Sequence, residues 1–414
     1  MSRHVKLGAT AAAALMVVTA CGGGPSSSGG VISDDKIVLA VLNDQSDVYS
    51  DLSGKNSVVA VEMAVEDFLA EHGDDAISSN IEVITADHQN KPDVANTKAQ
   101  ELYDRHNADI ILDVPTSSAA LAVAEQAKNK KKLYINITGA TTELTSTQCN
   151  KYTFHWAYDT YMLAQGTATT VTAAGATDWY IVYPDYAFGQ DMEKSFTAAI
   201  EASGGSIIAS DPTPFPNDDF STFLLKAASM DPKPSVIGTM HAGGDLINLV
   251  KQYNEFGLQD EGIDLSVGLM FLTDIHSLGV DEFAGTTFTD AWYWNHDADN
   301  REWADRFYER TGTRPTFAHA GNYSAALQYL EAVQRAGTDA SDDVVAALEG
   351  HKFDDVFADN GYVRAEDHRM LHDAYLARVK DSSEVTEEWD YEEIIETIPA
   401  EEAFAPAEDI TCQF

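Results

Sequence analysis

Two turns in the first third of the chain carry hydroxyl groups and exposed backbone at the ends of predicted strands. The first, residues 114–119 (VPTSSA), contains Thr116, Ser117 and Ser118, and the second, residues 136–141 (NITGAT), contains Gly139, Ala140 and Thr141. Free N–H groups at a helix start attract an anion. Side by side in one sheet, the two turns offer convergent uncharged donors that suit a carboxylate. Capping of the following helix alone also explains the first turn.

Two later turns place aromatic and small residues at the ends of strands. Residues 183–189 (YPDYAFG) include Tyr186 and Phe188, and residues 241–245 (HAGGD) include His241, Ala242 and Gly243. Aromatic side chains at such positions are suited to covering a ligand, although packing between two lobes also explains them. Asp245 is equally suited to capping the helix that follows.

The elements that position these turns form a repeated strand–helix pattern. Residues 36–42 are continuously apolar, as expected of a parallel strand buried on both faces, and residues 57–70 form an amphipathic helix. Further strands are predicted at 81–86, 110–114, 133–137, 179–182, 206–210, 235–240 and 266–271, and further helices at 93–105, 117–128, 160–174, 190–203, 221–230, 245–256, 301–311 and 323–336. Because the cycle restarts near residues 154–159, the sequence predicts an α/β protein of two doubly wound lobes with a cleft between them.

The N-terminus has the features of a secretory signal. Charged residues Arg3, His4 and Lys6 precede an apolar run at 7–20, which is followed by Cys21. A cysteine directly after a small-residue cleavage site resembles a bacterial lipobox, in which the thiol is acylated. A membrane-spanning helix is the alternative, but the run is shorter than the about 20 residues that a bilayer requires. We therefore predict a signal peptide at 1–20, lipidation at Cys21 and a flexible tether at 21–34.

The charge balance excludes some partners. The chain has 414 residues, with 67 acidic and 26 basic side chains and a formal net charge of −41. Such a surface repels nucleic acid and anionic lipid, so neither is a predicted partner. The acidity is consistent with adaptation to salt, which screens self-repulsion. An acidic extracellular proteome at moderate salt is the alternative explanation.

The cysteine count favours one disulfide. With Cys21 assigned to lipid, Cys149 and Cys412 remain in an oxidising compartment. We predict a bond between them, with two separate buried thiols as the alternative. Catalysis by a reactive thiol is not predicted, because no histidine-bearing motif flanks either cysteine.

From Lys36 to Phe414 the chain resembles the type I substrate-binding proteins of ABC transporters, in their leucine/isoleucine/valine-binding branch. The stretches that carry the resemblance are MAVEDF at 63–68, TSS at 116–118, TGAT at 138–141, DYAFG at 185–189, DFS at 219–221, AGGD at 242–245, DIHSLG at 274–279 and PT at 315–316. No single stretch is diagnostic, but their order and spacing are specific to the family.

The resemblance implies two Rossmann-like lobes joined by three crossovers, with lobe I at 35–155 plus 292–362 and lobe II at 156–291 plus 363–414. It also implies that the turns at 116–118 and 139–141 bind a ligand carboxylate, while Tyr49 and the loops at 186–188 and 241–243 complete the cover. No cofactor is implied. We expect a monomer that is anchored at the outer face of a cell membrane and hands its ligand to an ABC permease.

The class of ligand follows from a departure from the family pattern. Amino-acid binders of this family place an acid after the strand that ends here near Phe271, to meet the ammonium group, but residues 270–274 (MFLTD) contain no acid at the first positions. We therefore predict an aromatic or other apolar carboxylate ahead of a branched-chain amino acid, captured by hinge closure without bond breakage. A secreted hydrolase and a ligand-sensing module of the same fold are the alternatives.

Two patterns that resemble metal sites are explained better without a metal. His368 and His372 have the spacing of a zinc-binding pair on a helix, but they fall in a predicted turn. Asn295, Asp297 and Asp299 resemble a calcium loop that lacks its Gly and its terminal Glu, and a polar loop that caps the next helix explains them. No metal site is predicted.

Overall fold

The first lobe is built on a parallel sheet with the strand order β2-β1-β3-β4-β5. The structure is a computed structural model, and it describes residues 31–414. The first elements are β1 (Ile37–Asn43), α1 (Asn56–His72), β2 (Ile81–Asp87), α2 (Pro92–Arg105), β3 (Ile110–Asp113), α3 (Ser117–Lys130), β4 (Leu133–Asn136) and β5 (Thr153–His155). All seven residues of β1 are buried, as its continuous apolar run predicts.

Strand register brings the polar ends of three strands of this sheet together. Leu42 pairs with Asp113 across β1 and β3, and Asp113 pairs with Asn136 across β3 and β4. Since parallel strands end at the same edge of a sheet, the turns that follow β1, β3 and β4 are neighbours there. These are the turns that the sequence predicts to hold a ligand.

The second lobe repeats the design with a parallel sheet of order β7-β6-β8-β9. Its elements are α4 (Thr160–Ala173), β6 (Asp178–Pro184), α5 (Ala187–Ala202), β7 (Ser206–Thr213), α6 (Ser221–Ser229), β8 (Val236–Thr239), α7 (Gly243–Phe256), β9 (Asp264–Val267), α8 (Leu272–Leu278), α9 (Val280–Phe283) and β10 (Thr287–Asp290). The predicted strand at 266–271 therefore ends earlier, and Phe271 precedes a helix instead.

The remaining segments return to both lobes. They are α10 (Ala298–Thr311), α11 (Phe317–Ala336), α12 (Ser341–Leu348), β11 (Lys352–Phe353), β12 (Gly361–Val363), β13 (Met370–Leu371), β14 (Ala374–Val379), β15 (Glu392–Ile398) and α13 (Ala400–Ala403). Helix α11 packs against α1 of the first lobe. Strands β14 and β15 form an antiparallel sheet with β10 of the second lobe, and β11, β12 and β13 form another.

The chain crosses between the lobes three times, as the resemblance implies. It leaves the first lobe after β5, returns to it after β10, and enters the second lobe again between β12 and β14. The finer residue boundaries of the two lobes stay a prediction.

A buried ion pair joins the first and third crossovers. The Arg369 Nε lies 3.1 Å from an oxygen of Asp159, and both side chains are almost fully buried. The same guanidinium donates hydrogen bonds to the carbonyl oxygens of His155 and Trp156. Because a buried charge is costly without partners, these contacts hold the two segments in a fixed relation.

The predicted disulfide is confirmed, since Cys149 and Cys412 are bonded with their Cα atoms 5.7 Å apart. The predicted signal peptide and Cys21 lie outside the described residues. Within the predicted tether, the Val31 amide donates to the Gly337 carbonyl, and Ser33 donates to Asp339. These contacts attach the last part of that segment to the first lobe. Within residues 31–414, no helix combines the length and apolar character needed to cross a bilayer.

The residues of the two metal-like patterns have structural partners. The His368 Nε2 lies 3.0 Å from Glu349, and the His372 imidazole contacts the carbonyl oxygen of Ala157. The Asp297 carboxylate accepts a hydrogen bond from the Asn300 amide at 2.8 Å and caps α10. Both histidines are buried, and burial lowers the pKa of each.

Candidate ligand-binding site between the lobes

A narrow cavity lies between the lobes, at the strand ends of both parallel sheets. Its volume is about 250 Å³, which includes space open to solvent. The lining residues are Tyr49, Leu52, Pro115, Thr138, Tyr158, Tyr186, Phe188, Ala242, Leu269 and Phe271. Residues of both lobes therefore meet around one small cavity, and the lobes are closed on each other.

Aromatic contacts across the cleft hold this closed arrangement. The hydroxyls of Tyr49, from the first lobe, and Tyr186, from the second, lie 2.6 Å apart. Within the second lobe, the Tyr186 ring stacks on Phe215 with centroids 4.3 Å apart. Phe271, from the second lobe, stacks in the same way on Phe317 of α11 at 4.6 Å. Such ring pairs add to the free energy gained by burying their apolar area.

Tyr49 reaches the cleft because Asp44 shapes the loop after β1. The Asp44 carboxylate accepts hydrogen bonds from the amides of Ser46, Asp47 and Tyr49, at 3.2, 2.9 and 2.9 Å. Burial raises the pKa of Asp44, and these amide donors oppose that shift. The loop therefore has one defined path, and its end presents the tyrosine ring to the second lobe.

The start of α3 lies just after one of the residues that line the cavity. Pro115 lines the cavity, and two residues later the Ser117 hydroxyl is buried without a hydrogen-bond partner among the described residues. The Thr116 hydroxyl donates to Asn90, and Ser118 is partly exposed. The first amides of a helix have no partner within it. This end therefore keeps backbone donors and one free hydroxyl.

A strained backbone sets the position of this helix start. Asp113 and Val114 have φ angles of 82° and 70°, which are unfavourable for side chains of their type. The buried Asp113 carboxylate accepts hydrogen bonds from the Thr138 hydroxyl and from Asn43 Nδ2, the latter at 3.1 Å. Burial raises the pKa of Asp113, and these donors oppose that shift. The network compensates for the strain. It also engages the hydroxyl hydrogen of Thr138, which is donated to Asp113.

The second predicted turn has internal hydrogen bonds. The Gly139 amide donates to Asn136 Oδ1 at 3.1 Å, and the Gly139 carbonyl accepts from Asn136 Nδ2. A Cβ on Gly139 would lie 2.7 Å from that of Ala120 on α3, so only glycine fits there. The Ala140 carbonyl accepts from the Thr160 amide, and the Thr141 hydroxyl accepts from the Glu143 amide. These groups position the turn, and its cavity-lining residue is Thr138.

On the second lobe, Tyr186, Phe188 and Ala242 line the cavity, and their binding of a ligand stays a prediction. His241 does not line it. Its two ring nitrogens each lie 2.9 Å from a threonine hydroxyl, Nε2 from Thr213 and Nδ1 from Thr239. Burial lowers the pKa of His241 to about 3, so the imidazole is neutral. This histidine fixes the strand ends of the second sheet.

Gly243 allows a close backbone approach between the lobes. Its φ is +57°, and an added Cβ would lie 2.9 Å from the carbonyl oxygen of Val48. The start of α7 therefore fits against the loop after β1 only because residue 243 has no side chain.

Two acids beside this approach are buried. The Asp274 carboxylate accepts a hydrogen bond from the Phe271 amide at 2.9 Å, and burial raises its pKa to about 7. Asp245 lies in the first turn of α7, where it accepts from the Asn217 amide at 3.0 Å, and burial raises its pKa to about 7 as well. The residue that caps α7 is Ala242, so the capping role considered for Asp245 is wrong.

Several lining residues carry no distinctive signal in the sequence. Leu52, Tyr158, Leu269 and Phe271 read as ordinary core residues, because local periodicity reports burial and not what a side chain faces. Pro115 and Thr138 lie within turns that the sequence does identify. Phe215, which supports Tyr186, follows β7 in a loop that the sequence pattern leaves unassigned.

Known proteins share this architecture. The periplasmic binding protein family matches residues 36–384. A periplasmic binding protein from Burkholderia mallei is 39% identical, over 91% of this chain and 98% of that one, with a TM-score of 0.86. A branched-chain amino acid ABC transporter periplasmic ligand-binding protein from Burkholderia xenovorans is 36% identical, over 91% and 99%, with a TM-score of 0.80.

A third similarity is one of fold alone. A solute-binding protein of an ABC transporter from Rhodopseudomonas palustris, solved in complex with benzoate, is 18% identical over 92% of this chain and 100% of that one, with a TM-score of 0.78. No curated protein sequence matched the chain. From the family match and the two-lobed fold, the chain belongs to the periplasmic binding protein family, as a type I member similar to the leucine/isoleucine/valine-binding proteins.

Proposed function

We propose that this protein is a lipid-anchored, extracytoplasmic substrate-binding protein of an ABC importer that captures a small aromatic or apolar carboxylate. The observation that carries the proposal is the cavity wall. Rings from both lobes surround the cavity, and of the described residues that line it none is charged. Such a wall favours a flat or branched apolar body, which loses its hydration when the lobes close.

The start of α3 supports a negatively charged group at one end of that body. Amide groups at a helix N-terminus attract an anion through their partial positive charge. The buried Ser117 hydroxyl without a partner offers a further donor beside them. A net charge of −41 gives no general attraction for an anion, so the affinity has to come from such local donors.

A branched-chain amino acid is the second candidate, and the 36% identity to the Burkholderia xenovorans protein favours it. Its ammonium group needs a carboxylate partner. Asp274 is the acid next to the lining residue Phe271, and its carboxylate already accepts that residue's amide. The fold-level similarity to the protein in complex with benzoate agrees with the aromatic candidate.

The proposed mechanism is hinge closure. A ligand that contacts both lobes stabilises the closed state in proportion to its difference in affinity for the two states. The Tyr49 and Tyr186 hydroxyls, 2.6 Å apart, then shield the cavity from solvent. Closure and release need no bond breakage, so we assign no catalytic step.

The anchoring rests on sequence. Cys21 follows an apolar run and a small-residue cleavage site, and a Gly/Ser-rich segment follows it. Family membership supports a position outside the cytoplasm, where such a protein delivers its ligand to membrane-embedded permease subunits.

The experiment is a thermal-shift and calorimetric screen of the purified protein with benzoate, 4-hydroxybenzoate, leucine, isoleucine and valine. Benzamide, which has the ring of benzoate without its charge, is the matched control. We expect the aromatic acids to raise Tm, because a ligand at about 100 times its Kd adds about 2.7 kcal/mol to the free energy of unfolding. Benzamide and the amino acids are expected to give no shift.

Other results of the screen contradict the proposal. A shift with leucine and none with benzoate assigns the site to amino acids, and an equal shift with benzamide removes the role of the carboxylate. Each ligand is recovered after incubation and analysed by chromatography. Its consumption identifies an enzyme.

A further inference from the structure

The C-terminal tail, residues 399–414, begins on the second lobe. Helix α13 follows β15 and packs against α4. Ala403 and Phe404 at its end are buried. The start of the tail therefore moves with the second lobe.

The middle of the tail lies along the third crossover. The Phe404 ring lies over the Arg369 guanidinium, 4.1 Å from its centre. Arg364 donates a hydrogen bond to the Ala405 carbonyl at 2.8 Å. Since Arg369 also pairs with Asp159 of the first crossover, this part of the tail covers the hinge itself.

The end of the tail is fixed to the first lobe. Cys412 is bonded to Cys149, which precedes β5. The next residue, Asn150, donates to the Ala124 carbonyl of α3 at 3.3 Å. Because the bonded cysteines are 263 positions apart in the chain, the loop that the disulfide closes contains the whole second parallel sheet.

We propose that the Cys149–Cys412 bond makes the C-terminal tail a fourth covalent connection between the lobes, which restricts how far they open and so raises the fraction of closed protein. The segment from Phe404 to Cys412 cannot stretch beyond about 3.5 Å per residue, and the Ala405 contact shortens its free length. The consequence for ligand affinity rests on the proposed function, but the restriction of opening does not.

If the tail restricts opening, the ligand-free protein has fewer open conformations and loses less conformational entropy when its lobes close. The apparent Kd of a protein that binds in its closed state equals the intrinsic Kd divided by the closed fraction. Releasing the tail should therefore raise Kd about threefold to tenfold, mainly through faster dissociation. The closed structure itself should not change.

The experiment measures the distance between the lobes in the full-length oxidised protein. Spin labels are attached through keto amino acids at Lys128 on α3 and Lys251 on α7, which are both exposed, so that no new cysteine is introduced. Two altered proteins are compared with it. One is the double variant Cys149→Ser/Cys412→Ser, and the other keeps the disulfide but carries six Gly/Ser residues inserted after the exposed Glu408.

We expect the ligand-free wild type to give a narrow distance distribution and both altered proteins to add longer distances. The insertion separates restriction from folding stability, because it leaves the disulfide and its closed loop in place. Phe414→Ala is the matched control. It removes the ring beside His368, 4.4 Å away, but leaves the connection intact, and the distribution should stay that of the wild type.

An unchanged distribution in the insertion variant overturns the proposal, whatever happens to the double variant. The distances are recorded without ligand, so a failure of every compound in the screen leaves this test valid. Conversely, broadened distances with unchanged Kd for a ligand that does bind retain the restriction and reject its effect on affinity.

Discussion

The first-lobe wall of the cavity presents Pro115 and Thr138, next to the start of α3, whereas the second-lobe wall presents Tyr186, Phe188 and Phe271. Hydrogen bonds hold the turns of the first-lobe wall, so its polar groups point in defined directions. The second is placed by packing of rings, which favours contact without fixing an orientation. We infer that the first lobe orients the ligand and the second supplies the apolar contact that makes closure favourable.

The largest expected effect tests whether the two walls must meet closely. Gly243→Ala places a Cβ 2.9 Å from the Val48 carbonyl oxygen, at a φ of +57°, so the closed state is blocked while the open state only acquires backbone strain. We expect Kd to rise by about 10- to 100-fold, equivalent to about 1.4–2.8 kcal/mol, measured by calorimetry with the ligand found in the screen.

Gly244→Ala is the control for that variant. A Cβ there would meet Val48 at 3.5 Å, which is ordinary van der Waals contact. Its affinity should match the wild type. Binding by Gly243→Ala as tight as that of the wild type contradicts the close approach on which the comparison depends.

An intermediate effect tests the orienting role of the first wall. Ser117→Ala removes the buried hydroxyl that has no partner within the described residues, and a lost hydrogen bond to a charged group costs about 1.5 kcal/mol or somewhat more. We expect the Kd of a carboxylate ligand to rise about tenfold, with no loss of Tm, because no internal hydrogen bond is broken.

Ser221→Ala is the control for affinity, since Ser221 is also the first residue of a helix, α6, but its hydroxyl already donates to Asp219 at 2.6 Å. Its ligand affinity should be unchanged. A Ser117→Ala variant that loses Tm and keeps its affinity assigns the hydroxyl to folding instead.

The smallest expected effect on affinity concerns Asp274 beside the second wall. Burial raises its pKa in the folded chain to about 7, above its ordinary value of 3.8. The folded state therefore holds the proton more tightly, and this contribution to stability is full below about pH 4 and is lost as the pH rises through 7. Asp274→Asn should flatten the fall in the free energy of unfolding over this range by up to about 1.4 kcal/mol per pH unit.

Denaturant unfolding at several pH values measures this slope, and ligand Kd should change by less than about twofold. Asp260→Asn, at an exposed position, is the control and should keep the wild-type profile. If the unfolding free energy of Asp274→Asn depends on pH as that of the wild type does, Asp274 titrates as a solvated carboxyl. A large change in ligand Kd places Asp274 in the binding site.

Much of the fold follows from the pattern of apolar residues. The run at 36–42 is sufficient to predict β1, and the repeated strand–helix spacing predicts both parallel sheets. The prediction of secondary structure fails where contacts with distant residues, and not the local apolar pattern, decide the conformation. Residues 266–271 are apolar enough for a strand, but the Asp274 carboxylate accepts the Phe271 amide and begins α8 instead. The short strands after residue 350 also lack a pattern long enough to read.

The sequence by itself determined which turns end the strands, and that the ring-bearing and hydroxyl-bearing turns lie at sheet ends. Only the tertiary structure decided which hydroxyls remain available. Thr116 donates to Asn90, Thr138 donates to Asp113, and the two ring nitrogens of His241 lie against threonine hydroxyls. The physical reason is that a hydrogen bond depends on partners from distant segments, whereas local residue patterns report only burial and secondary structure.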